Sequence, residues 1–579
     1  MNDYISILLD FFYDYLDFLE NKKIIKEVNR KNISIDFFSK SKRGDVSSNF
    51  YLIINKKLTD HNFNIKEDIV NKLTKNNIVD HLNISEKGFI NIFLNKKYIF
   101  NELANITKTS ENFFKVNLGD RKKINIEFVS ANPTGPIHVA HMRGAVLGDV
   151  LSSILSQTGF LVTKEYYVND AGSQIDILAE SLYKRYCQLN NINVQLNENE
   201  YPGEYLIDLA KIIYSKYKSK WLKIEKNESI IFFKKFSVDY LLSVIKNDLS
   251  LLNINFNIFT FETNIIKNKV IEDLFKILED KNLLYEGILE KPIDEDLTDW
   301  EPRKQLLFKS TILSDDKDRS FKKANGEWTY FANDAAYHFN KYSRNYDKLI
   351  NIWGADHIGY IQRMKSILKA ITNSNDYLEV LICQIVRLIK NNKILKMSKR
   401  DGNFVTLREL FEAVGKDPLR YYMISTRNDT PIDFDINRVL EKNKDNPVFY
   451  CQYAFARSSS VLRKMKDINI DINKIEKNEI LIEFISNEEW DIILRLLSFP
   501  FILKQSAEKK EPHRLTNYLE DMSSLFHSFW NRGKDDESLR LIDENNISKT
   551  LSKLIWLKAF NVTFKKIFEL IGIDSPETM

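Results

Sequence analysis

Ile124-Asn-Ile-Glu-Phe-Val-Ser-Ala-Asn-Pro-Thr-Gly-Pro-Ile-His-Val-Ala-His141 is the stretch that decides the fold. The apolar run Ile124 to Val129 reads as a strand, Ser130 to Pro136 as a loop, and the pattern from about Val139 to Gln157 as a helix. Gly159 and a strand-like Phe160 to Val168 follow, completing a βαβ unit, and such a crossover forces a parallel sheet. In sheets of this kind ligands bind outside the carboxyl ends of the strands, where the loop, His138 and His141 lie. The two imidazoles are spaced i, i+3, so both project from one face where the helix begins.

Two readings of that pair compete: core histidines that merely cap a helix, and neutral donors to an anion. The loop favours the second, because its Pro and Gly residues hold the backbone open at a helix N-terminus, a natural anion site. A zinc pair is disfavoured, since no third ligand lies nearby. Glycine is scarce (17 in 579 residues), yet six of the 17 fall between Gly119 and Gly172, so backbone freedom is concentrated around this loop.

Working outward, the chain is long enough for several packed domains. Its formal net charge of +4 permits a nucleic-acid partner without requiring one. Cys187, Cys383 and Cys451 are far apart with no Cys-x-x-Cys pair, which argues against a disulfide framework and a structural zinc site and fits a reducing cytoplasm. Ile5, Leu8, Leu9, Phe12, Leu16 and Leu19 alternate with acids in an amphipathic N-terminal helix, and no apolar run is long enough for a membrane span. The expected domains are an N-terminal block over 1–112, a catalytic α/β domain over 113–432 with a mostly helical insertion from about 178 to 300, and a helical domain over 433–579. Phe50 to Ile54, Leu349 to Trp353 and Leu381 to Leu388 read as strands.

Lys396-Met-Ser-Lys-Arg400 lies 258 residues beyond His138. After a strand-like run and before Asp401-Gly-Asn403, it reads as a mobile cationic loop, able to meet a leaving pyrophosphate. Alone it is a solvated lysine cluster. Tyr330 and Asp334 share a face at i, i+4, with His338 nearby, if that stretch is helical. Trp353-Gly-Ala-Asp-His357 ends another strand-like run and suits the close approach of an adenosine.

The two motifs resemble the HIGH and KMSKS signatures of class I aminoacyl-tRNA synthetases. Further stretches are similar, in order, to the arginyl-tRNA synthetase family: Glu127 to Pro136, Tyr167-Val-Asn-Asp-Ala-Gly172, Tyr330 to His338, Trp353 to Tyr360, Asn446-Pro-Val448 with Tyr450 to Arg457, and Ser575-Pro-Glu-Thr-Met579. Arg43 to Asn49 and Gly88-Phe-Ile-Asn91 match that family's extra N-terminal domain.

The resemblance implies a Rossmann-type parallel-sheet catalytic domain with a helical insertion, an α+β N-terminal domain that meets the tRNA D-loop, and an all-helical anticodon-binding domain. It implies ATP-dependent activation of L-arginine and transfer to tRNA(Arg). On the matching positions, Ser130 and Asn132 would hold the amino acid's α-groups beside Glu127. Tyr330 and Asp334, with His338 close by, would read the guanidinium. Pro136, His138, His141, Gly354, Asp356, His357, Met397 and Ser398 would contact ATP. His138, His141, Lys396 and Lys399 would be catalytic, the lysines neutralising phosphates. Asn91, Tyr450, Tyr453 and Met579 would meet tRNA.

ATP is then a substrate accompanied by Mg²⁺, with no structural zinc and no other protein metal, and the expected state is a cytoplasmic monomer. Three positions depart from the family pattern: Ala140 replaces the signature glycine, Phe455 a usual histidine and Asn257 a usual aspartate. The rival readings are another class I synthetase, a small nucleotidyltransferase, and a tRNA-binding paralogue without catalysis. Intact His138, His141, Lys396 and Lys399 count against the last.

Overall fold

The computed structural model describes residues 3–37, 44–108, 114–289, 303–395, 405–467 and 481–579. It divides into two compact units, one made of Met1–Leu118 with Glu441–Met579, the other of Gly119–Leu440. The N-terminal and C-terminal blocks therefore cluster together. Lys396 to Arg400, including both signature lysines, and Arg43 lie outside the described residues.

In the first unit, β1 (Ile35–Phe37), β2 (Val46–Ser48), β3 (Val79–Ile84) and β4 (Ile90–Leu94) form an antiparallel sheet of order β1-β2-β4-β3. Phe50 to Ile54, expected as a strand, is part of a helix, Phe50–Asn55. Its β-branched composition misled, but its burial has period four: Phe50 and Ile54 are fully buried one turn apart, and Phe50 stacks on Phe12 of the N-terminal helix at 4.6 Å. The C-terminal half is helical, around Pro447–Asp467, Asn487–Leu497, His513–Asp535 and Ile547–Ile571. The two halves interlock through Tyr4, which donates to the Leu494 carbonyl (3.1 Å), and Trp490, whose indole donates to Asp45 (2.8 Å).

The second unit is built on five parallel strands: β5 (Lys123–Glu127), β6 (Leu161–Val168), β7 (Ile258–Phe261), β11 (Lys348–Gly354) and β12 (Leu378–Cys383), in the order β12-β11-β5-β6-β7. Helix Val139–Gln157 packs against β5 so closely that a Cβ on Gly148 would meet the Phe128 ring at 2.2 Å. That contact explains one of the clustered glycines. The segment 178–300, expected as one insertion, returns to the sheet partway. Helices Ser173–Leu189, Glu204–Tyr217 and Lys226–Leu251 form a core of their own, after which β7 pairs with β6. Four residues are too short a run to stand out beside long helices.

Leu381 to Leu388 is likewise two strands. β12 ends at Cys383, the Gln384 carbonyl accepts from buried Arg143 (2.9 Å), and β13 (Val386–Lys390) joins β14 (Lys393–Ile394) and β15 (Ile432–Asp435) in a separate sheet. β15 lies within the sequence expected to open the helical domain near 433, and the unit boundary falls at Leu440. An antiparallel sheet of β8 (Leu284–Gly287), β9 (Gln305–Phe308) and β10 (Arg319–Lys322) completes the unit.

Candidate active site

The site gathers at the carboxyl end of β5. Directly after that strand, Val129 (φ 68°) and Ser130 (φ 39°) adopt left-handed backbone. A β-branched residue there is a real conformational outlier, and strain of this kind persists only where surrounding contacts over-determine it. Here they do. Ser130 Oγ donates to Glu127 Oε1 (2.9 Å) and accepts from the Tyr167 amide (3.1 Å), while Tyr166 donates its hydroxyl to the Ala131 carbonyl (2.7 Å). Further along, Tyr205 at the start of an insertion helix donates to the Thr134 carbonyl (2.6 Å), and Asn132 donates to Gln174 (2.8 Å).

His138 and His141 cap the helix. His138 Nδ1 accepts from the Ala140 amide (3.3 Å), and the His138 amide donates to His141 Nδ1 (3.4 Å), in a reciprocal capping box. The pair therefore caps the helix, as the first of the two readings has it. Since Nδ1 is the acceptor in each ring, the neutral tautomer carries its proton on Nε2. The rings lie 4.1 Å apart. Ala140, in place of the signature glycine, is exposed. A backbone bridge joins His138 to Thr406, and the Leu407 amide donates to the Ile137 carbonyl (3.0 Å). The chain just after the KMSKR sequence is therefore anchored beside the histidines.

Helix Tyr330–Ser343 supplies the opposite wall, capped by Thr329. Tyr330 is 68% exposed at its first turn. Asp334, one turn on, stands near Glu262 and Glu127, and its pKa is pushed up to about 7 by burial first and then by those two carboxylates. Glu262 is raised too, by burial and by Asp170, against a hydrogen bond from Asn333 (3.1 Å). One turn beyond Asp334, His338 donates from Nδ1 to the Asp334 carbonyl (2.8 Å) and accepts at Nε2 from Asn351 (2.8 Å). Burial and neighbouring Lys341 push its pKa down to about 4, so it is neutral. Lys341, fully buried, ion-pairs with Glu127 Oε2 and donates to Asn351 Oδ1 (3.0 Å).

The result is an acid pocket with one internal cation. Glu127, Glu262 and Asp334 converge, and of the three only Glu127 is paired with a buried ammonium among the described residues. Tyr167 and Tyr337, stacked at 4.1 Å, line it. Glu262, Asp170, Lys341 and Asn351 were not anticipated. A signal existed for two of them. Glu262 follows the short apolar run Ile258–Phe261, at a strand's carboxyl end, and Lys341 continues the stripe of Asp334 and His338 at i+7 and i+3.

Gly354 ends β11, and exposed Asp356 and His357 follow in the short 3-10 helix Ala355–Tyr360, His357 Nε2 lying 3.4 Å from the Asp356 carboxylate. A Cβ on Gly354 would meet that carboxylate at 2.4 Å. Asn257 caps the entry to β7 by accepting from the Lys164 amide (2.8 Å), a role in shaping the fold.

In the other unit, Tyr450 and Tyr453 lie half-buried on helix Pro447–Asp467, against His527 at 4.4 and 5.7 Å. Arg457 donates to the Tyr453 hydroxyl (2.9 Å) and to His527 Nδ1 (2.9 Å). Phe455 is buried against Phe568, so an apolar ring replaces a polar one in a core position. Met579 is 54% exposed. Asn91, expected at the D-loop, is 6% exposed, its side-chain amide donating to Asn83 (2.9 Å) and accepting from Ser47 (3.2 Å). By the strand's alternation it lies on the face opposite the fully buried Ile90 and Ile92 and level with exposed Asn83.

A parallel sheet with a histidine-capped helix at its mouth, in a chain whose sequence goes on to Lys396-Met-Ser-Lys-Arg400, defines a class I aminoacyl-tRNA synthetase. Residues 102–431 match the family described as tRNA synthetases class I (R), catalytic domain, residues 19–94 the arginyl tRNA synthetase N-terminal domain, and residues 451–579 the DALR anticodon-binding domain. The chain belongs to the arginyl-tRNA synthetase family. It is 36% identical to the arginine–tRNA ligase of Ehrlichia chaffeensis, over 96% of this chain and 97% of the relative, and 39% identical to that of Parvibaculum lavamentivorans, over 93% and 92%. Its fold matches a Thermus thermophilus arginyl-tRNA synthetase with a TM-score of 0.73 at 17% identity, covering all of both chains.

Proposed function

We propose that this chain is an arginine–tRNA ligase, which joins L-arginine to ATP as arginyl-adenylate and transfers it to the 3′ end of tRNA(Arg), releasing AMP and pyrophosphate. The observation that carries the arginine assignment is the acid pocket. Glu262 and a carboxylate at Asp334 held near neutrality are an arrangement that a planar guanidinium relieves through paired hydrogen bonds. Citrulline would leave those groups desolvated and unpaired, so the site discriminates without an editing domain.

In this reading Asp334, Glu262 and Tyr330 hold the guanidinium, with His338 a neutral spacer that fixes the turn carrying Asp334. Ser130 and Asn132 hold the α-groups and Glu127 orients Ser130. The Nε2 protons of His138 and His141 donate to ATP phosphates, beside Pro136, Met397 and Ser398, while Gly354, Asp356 and His357 receive the adenosine. Lys396 and Lys399 meet the departing pyrophosphate, and Mg²⁺ arrives with ATP as part of the substrate. The arginine carboxylate is the nucleophile at the α-phosphate, so the protein contributes positioning and electrostatic stabilisation rather than a covalent intermediate. Tyr450 and Tyr453 meet anticodon bases and Met579 lies near the RNA. The protein acts as a cytoplasmic monomer. The test is charging of total tRNA with each of the twenty amino acids: arginine alone should be incorporated, and charging by any other would overturn the reading.

A further inference from the structure

Residues 211–235 of the helical insertion carry eight lysines against two glutamates, a net +6 in 25 residues of a chain whose total is +4. Several of these charges are already spent: Lys211 pairs with Asp208 (2.9 Å), Lys226 with Glu180 (3.0 Å) and Lys234 with Asp176 (2.6 Å). Lys216, Lys218, Lys220 and Lys223 are exposed, and none of them pairs with a carboxylate among the described residues. They sit where helix Glu204–Tyr217 ends and the single turn Lys220–Leu222 begins.

This corner is built, unlike an ordinary solvated helix face. Lys218 takes a left-handed backbone (φ 49°), and its carbonyl accepts the Tyr186 hydroxyl. Trp221 stacks on Phe232 at 3.9 Å. The ammonium of Lys216 lies 5.3 Å from the Tyr217 ring centre, that of Lys218 5.3 Å from Tyr214, and that of Lys220 5.2 Å from Trp221. Rings under the ammonium groups hold the flexible stems in place. Three cations held over half-exposed aromatics, with exposed Lys223 beside them, suit a polyanion whose charges recur along a backbone and whose bases can stack, which is RNA.

The same helix says which part of the RNA. Its first turn holds Tyr205 on the Thr134 carbonyl of the active-site loop, 2.6 Å away. Its 14 residues, at about 1.5 Å each, then run about 20 Å to the lysine corner. We infer that Lys216, Lys218, Lys220 and Lys223 bind the phosphate backbone of the tRNA acceptor arm, about 20 Å along the insertion from the reacting end. The inference rests on the function proposed above.

The test uses the full-length protein with K216Q/K218Q/K220Q/K223Q, which keeps the side-chain stems and removes the charges. Binding of tRNA(Arg), of an acceptor-arm hairpin and of an anticodon-arm hairpin is measured between 50 and 200 mM salt. Releasing four phosphate contacts should make the log–log salt slope for tRNA shallower by about 2 to 4 and weaken the acceptor-arm hairpin at least tenfold, with the anticodon-arm hairpin unchanged. The pairwise variants K216Q/K220Q and K218Q/K223Q should each give about half the change, which covers the case in which the quadruple variant misfolds. Equal affinities and parallel slopes in all variants would overturn the inference and return the lysines to a solvated face. Absence of tRNA binding by the wild-type protein would instead overturn the proposed function, and this inference with it.

Discussion

Lys341, with no exposed surface, ion-pairs with Glu127 and ties the helix that carries Asp334 to the strained turn that carries Ser130. A buried charge that loses its partner is left desolvated, at a cost of about 3 to 5 kcal/mol. Lys341→Met should therefore lower the melting temperature and raise the arginine KM more than the ATP KM. Adding Glu127→Gln should recover most of the stability, since removing both charges leaves neither stranded, without recovering arginine use. Equal damage to both substrates would show that the pair supports only the fold.

The raised pKa of Asp334 gives the site a pH signature. Its carboxyl titrates near 7 without arginine, and a guanidinium requires the ionised form, so binding releases a proton. As pH falls below about 7, the arginine KM should climb toward a tenfold increase per unit, while the ATP KM stays nearly flat. In Asp334→Asn the KM should be high at every pH and lack this slope. An arginine KM independent of pH between 5 and 8 in the wild type would remove Asp334 from the guanidinium.

Lys399→Ala should reduce kcat more than it raises the ATP KM, because a cation that meets the leaving pyrophosphate acts chiefly in the transition state. Pre-steady-state adenylate formation separates the two. A change confined to ATP affinity would make the loop a plain binding element.

Tyr450 offers one half-buried face and rests the other on His527. Tyr450→Ala should weaken charging through the tRNA KM alone, by about 1 to 3 kcal/mol for one stacked base. Tyr450→Phe should retain most of the affinity. If both variants keep the wild-type tRNA KM while thermal stability falls, the ring serves the helical core.

What the sequence determined by itself was local or motif-borne. The run from Ile124 to His141 announces a strand, an open loop and a helix start, because a change of hydrophobic period and a clustering of Pro and Gly act within a few residues. His138, Lys396 and Lys399 stand in the two signature motifs, and the company of those motifs along the chain points to the family. Tertiary structure alone decided what depends on partners far away in sequence. Ile258–Phe261 became a sheet strand because β6 was there to pair with it. Phe50 entered a helix because Phe12 lay beneath it, and Asn91 found its partners Asn83 and Ser47 on the two neighbouring strands. The acid pocket is the clearest case: Glu127, Glu262 and the helix that carries both Asp334 and Lys341 lie on three separate segments, and their energetics follow from burial and mutual distance. A sequence states which charges exist, but the cost of each is set by what the fold brings beside it.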